Sequence, residues 1–93
     1  MINKNITKIR KKLDKIDIRL LRIIKKRSIL VDKILKFKKN KKEVIDKKRI
    51  NFILKRIKKH SIKEKIDPEI SVNIWKEMIK GFINHEFRKF KKK

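Results

Sequence analysis

The chain lacks cysteine, tyrosine and alanine altogether, and its 93 residues include one glycine and one proline. Without cysteine there is no disulfide framework. With so few turn-forming residues, a many-stranded β architecture has little to build on, and the expectation is a single small all-α domain spanning 1–93. Long apolar runs are missing too. Nothing approaches the roughly 18 residues needed to cross a bilayer, and residues 1–12 have no uninterrupted apolar core of the signal-peptide kind. A soluble, unprocessed, cytoplasmic protein with no membrane partner is expected.

Acid is scarce: ten Asp and Glu stand against 33 Lys and Arg, a formal charge of +23. A dense lysine surface collects phosphates and releases counterions. Yet lysine outnumbers arginine 26 to 7, isoleucine is commoner than leucine and alanine is absent, which is the vocabulary of an AT-rich coding sequence. No specific nucleic-acid partner is therefore expected, only an incidental, salt-sensitive affinity. Catalytic motifs are also wanting. There is no Gly-rich phosphate loop and no Ser-His-Asp or Cys-His arrangement. His60 and His85 have no ligand-like companions, so neither a metal site nor a cofactor is expected.

What is present is a heptad. Ile6, Ile9, Leu13, Ile16, Leu20, Ile23, Arg27, Leu30, Ile34 and Phe37 recur on one helical stripe, nine of ten positions apolar. With no glycine or proline to interrupt it, this predicts one helix over residues 4 to 39, closed by a loop from Lys38 to Glu43. Asp46 can cap a second helix carrying Ile50, Ile53, Leu54 and Ile57 and ending near His60. Asp67-Pro68-Glu69 marks the start of a third. Its apolar face is Ile70, Ile74, Trp75, Met78, Ile79, Phe82 and Ile83, with Gly81 hinting at a close backbone approach. The tail 88–93 is expected to be disordered.

The first helix would be about 50 Å long, whereas a globule of this size has a radius of gyration of about 12 Å. Its own chain cannot cover such a stripe. A homodimer is expected, with the long helices paired across the symmetry axis. An elongated coiled coil is the alternative, although two short helices after a long one would end it oddly.

Charges interrupt the apolar faces. Arg27 would cost several kcal/mol if buried unpaired, unless it forms a structural salt bridge or snorkels. Lys38, three helical turns on, would project within about 20° of Arg27 at roughly 16 Å, and the two could clamp a small dianion; otherwise Lys38 belongs to the basic loop. Arg49, one turn after Asp46, sits where helix amides favour an anion, or else pairs with Asp46. Glu86 continues the face of Trp75, Ile79 and Phe82, and would look inward unless the helix end frays. Arg10 lies about 25 Å from Arg27 along the helix and about 100° around it. The two could grip one small molecule only from different chains; singly, Arg10 reads as solvated. Asp14 and Asp17 read most simply as surface or intersubunit salt bridges.

The segments IRKKLDKIDIRLLRIIKKR, FK, VIDKKR, IDPEI and IWKEMIKGFINHE together resemble the all-α chorismate mutases of the AroQ class over roughly residues 6 to 87. The likeness rests on the spacing of Arg10, Asp17, Arg27, Lys38, Asp46, Arg49 and Glu86. It implies an intertwined homodimer of three-helix subunits with one very long N-terminal helix. It also implies an isomerase that turns chorismate, a dicarboxylate, into prephenate by a cofactor-free Claisen rearrangement in aromatic amino-acid biosynthesis. By resemblance, Arg27 and the partner subunit's Arg10 bind the two carboxylates, and Lys38 holds the ether oxygen and a carboxylate. Arg49 lines the site, and Asp46 positions the ring hydroxyl region. Glu86 stands where the family usually has glutamine, so only its protonated form could donate to the ether oxygen.

Two positions depart from the pattern: Ile50 stands in place of a glutamate and Phe82 in place of a serine. Because related isochorismate pyruvate lyases also have an apolar residue at the first of these, that activity is the alternative reading. A basic helical nucleic-acid binder or coiled-coil adaptor is the alternative from a different class.

Overall fold

The computed structural model describes residues 3–90 and contains α1 (Lys4–Leu35), a short 3₁₀ turn (Lys41–Glu43), α2 (Lys47–Lys63) and α3 (Pro68–Phe90). There is no strand among the described residues. The three helices are those the periodicity predicts; their ends differ. Contacts divide the chain into two units, residues 1–32 and 33–93.

The first unit is the greater part of α1. Asn3 caps it, its Oδ1 accepting from the amides of Asn5 at 2.9 Å and Ile6 at 3.3 Å, which satisfies two of the donors a helix start leaves open. The stripe residues Ile6, Ile9, Leu13, Ile16, Leu20, Ile23 and Leu30 are all exposed, by 46 to 61%. Hiding each from water would stabilise the molecule by roughly 1 kcal/mol, on the order of 7 kcal/mol in all. The chain forms this helix without covering it.

In the second unit α1 stops at Leu35, four residues before the expected end. The amides of Phe37 and Lys38 turn back to Ile34 and Leu35 at 2.9 and 3.1 Å, tightening the last turn. The Lys39 amide then leaves the helix and donates to Glu43 Oε2 at 2.6 Å. A side chain of the following loop thus takes the donor that helix continuation would need. Phe37, expected on the stripe, lies in this turn and is 85% exposed.

Asp46 is the N-cap of α2, its Oδ1 accepting from the Arg49 amide at 3.0 Å. The helix runs three residues past His60 and closes on Lys65, whose φ of 60° is left-handed. There Ile66 N donates to Ser61 O at 2.9 Å and Lys65 N to Ile62 O at 3.2 Å, the pair of bonds of a Schellman motif. Asp67 then starts α3, its Oδ1 accepting from Glu69 N at 2.9 Å.

α2 and α3 pack on each other, with Ile50, Ile53, Leu54 and Ile57 half-buried on one side and Trp75, Met78, Phe82 and Ile83 on the other. Among the described residues only Leu35, Val44 and Ile79 are buried hydrophobics, while Ile70 and Ile74 stay exposed. α3 is helical through Phe90, so residues 88–90 of the tail expected to be disordered belong to this helix; the rest of that tail, 91–93, lies outside the described residues. No heavy atom comes within 4 Å of a Cβ built on Gly81, so the close approach expected there is not made by the described residues.

Candidate active site

The loop after α1 and the last turns of α3 bring together two groups 48 residues apart in sequence. Lys38 Nζ donates to Glu86 Oε2 at 2.9 Å. Helical register does not place Lys38, because it follows the turn that ends α1; the three-turn alignment with Arg27 does not apply. Glu86 sits one turn beyond Phe82 on the same face of α3 and is 8% exposed.

An ion pair so placed is a poor device for holding a fold. Removing both charges from water costs several kcal/mol, and apolar replacements of such pairs are often as stable or more so. What the pair can do is chemical. It keeps an ammonium with three donors beside a carboxyl group, in a place water reaches poorly, where an oxygen developing negative charge would feel the ammonium strongly.

Asp46 and Arg49 come together at the start of α2, but through the Arg49 backbone amide. The Arg49 guanidinium carbon lies over the Phe52 ring, 5.2 Å from its centroid. Ile50, in the first turn of α2, and Phe82, on α3, are half-buried apolar positions of the same unit. Arg10, exposed, and Arg27, half-buried, belong to α1 in the first unit. Seventeen residues separate them, about 25 Å of helix, so they do not meet within their own chain's helix.

Two features escaped sequence reasoning. Periodicity cannot see the contact of Lys38 with Glu86, because a loop delivers one of the partners. Phe52 could have been found, since it lies out of phase with Ile50, Ile53, Leu54 and Ile57 and three residues from Arg49. Among the described residues no group of three or more His, Cys, Asp or Glu is arranged to hold a metal ion, and no helix is long and apolar enough to cross a membrane.

A family model described as chorismate mutase type II matches residues 9–87. No curated protein and no solved structure matches the chain.

Proposed function

We propose that this chain, which belongs to the chorismate mutase type II family over residues 9–87, works as a cytoplasmic homodimer whose site combines Lys38 and Glu86 of one subunit with the partner subunit's Arg10. The reaction is the isomerisation of chorismate to prephenate. A pericyclic rearrangement needs no nucleophile and no cofactor. It needs the substrate held as the reactive conformer and the charge growing on the breaking ether oxygen stabilised.

The observation that carries the reading is the secluded contact between Lys38 and Glu86 at 2.9 Å. On binding, the dianionic substrate exchanges this ion pair for its own contacts. Lys38 turns to the ether oxygen and a neighbouring carboxylate, and Glu86 stands beside the same oxygen, to which a protonated carboxyl would donate. Arg27 and the partner subunit's Arg10 hold the two carboxylates, where a guanidinium can bind in bidentate fashion. Asp46 and Arg49 order the mouth of the site, and Ile50 and Phe82 give it apolar walls.

Purified protein incubated with chorismate and no added metal should form prephenate, identified as the product. Lys38→Ala should lower kcat about 10²- to 10³-fold, the usual effect of removing one donor to a developing oxyanion, and Arg27→Ala should also cost orders of magnitude. Both variants should keep the wild-type sedimentation coefficient. Full activity in either would end the assignment of these roles.

A further inference from the structure

The positive charge of this chain is unevenly distributed. α3 carries four cations and three acids, whereas α2, six residues shorter, carries eight cations and no acid. A coding bias acting alike on the whole chain does not produce that difference between neighbouring helices. All eight, Lys47, Lys48, Arg49, Lys55, Arg56, Lys58, Lys59 and Lys63, are exposed, and among the described residues none forms an ion pair.

We propose that the outward face of α2 is a docking surface for single-stranded nucleic acid. At 100° per residue the eight cations cover roughly 200° of the helix, along about 24 Å of axis, and the apolar residues that pack toward α3 fill the remainder. In the middle of this arc lies Phe52, 52% exposed, with the Arg49 guanidinium over its ring. An exposed aromatic set among cations is what an unpaired base stacks on. A membrane surface fits less well, because α2 spends its continuous apolar side on α3 and keeps none to insert. An acidic polypeptide would meet the cations but leave the ring unused.

The test measures binding of the full chain to a fluorescent oligoribonucleotide of about 12 nucleotides across a salt series. Three variants are compared with wild type: Lys48, Lys55 and Lys59 all changed to Gln on α2; Lys4, Lys8 and Lys12 all changed to Gln on α1, the same loss of charge elsewhere; and Phe52→Leu. Unchanged prephenate formation by both triple variants verifies folding. The α2 triple should bind at least about tenfold more weakly, with a log–log salt slope shallower by about 2, since each phosphate contact on a single strand contributes about 0.7. The α1 triple should stay within about threefold of wild type, and Phe52→Leu should weaken single-strand binding about tenfold. Equal weakening by the two triples would reduce the affinity to net charge and overturn the proposal. Unchanged affinity in Phe52→Leu, or polyglutamate of equal charge competing as well as the oligonucleotide, would overturn the choice of partner.

Discussion

Glu86 shows what a single residue must reconcile in this site. Its carboxyl is buried against the Lys38 ammonium, yet the proposed chemistry asks it to donate a hydrogen bond, which only its neutral form can do. An amide of the same shape donates without needing a proton. Glu86→Gln should therefore keep or raise kcat for chorismate, while Glu86→Ala should lower it at least about tenfold. Full activity in Glu86→Ala would remove Glu86 from the ether oxygen. At this scale the sequence was informative about residue types and poor about how they meet. Glu86 was legible as inward-facing, because helix phase continues from Trp75 through Ile79 and Phe82. Its contact with Lys38 was not, because the chain leaves helix geometry at Leu35.

The helices were legible wherever a local rule fixes them. Asp46 and Asp67 cap the helices they precede, as their positions before an apolar period and before a proline imply. Ends set by local captures that lack a glycine or proline signal were not legible. α1 ends where Glu43 takes the Lys39 amide, a capture that no propensity encodes. α2 ends in a Schellman motif with a lysine in the left-handed position that usually belongs to glycine. An L-residue there costs about 1–2 kcal/mol relative to glycine in the folded chain, part of which glycine returns through its freer unfolded state. Lys65→Gly should accordingly stabilise the protein by about 0.5–1 kcal/mol, seen as a rise in Tm of a few degrees with kcat unchanged. A fall in Tm would show that the lysine side chain contributes more than its backbone strain costs.

At the scale of the whole molecule, the exposed stripe of α1 is the dominant fact. Among its described residues the single chain buries only three hydrophobics and leaves seven stripe positions of its first 32 residues about half in water. The heptad and the length of the helix foretell this from the sequence, which is why a second copy is expected. A partner that covers the stripe also solves the placement of the arginines. Arg10 and Arg27 are too far apart on one helix to share a small molecule, but two copies can supply one each.

The most direct test of that central claim is subunit complementation. Arg10→Ala and Lys38→Ala chains, each strongly impaired alone, are mixed, dissociated and reassociated, and prephenate formation is measured. If Arg10 acts in trans, each hybrid dimer has one intact site and one site lacking both groups, and a random equal mixture recovers about a quarter of wild-type activity. A mixture no more active than its parents, with hybrid dimers shown to be present, would contradict the shared site.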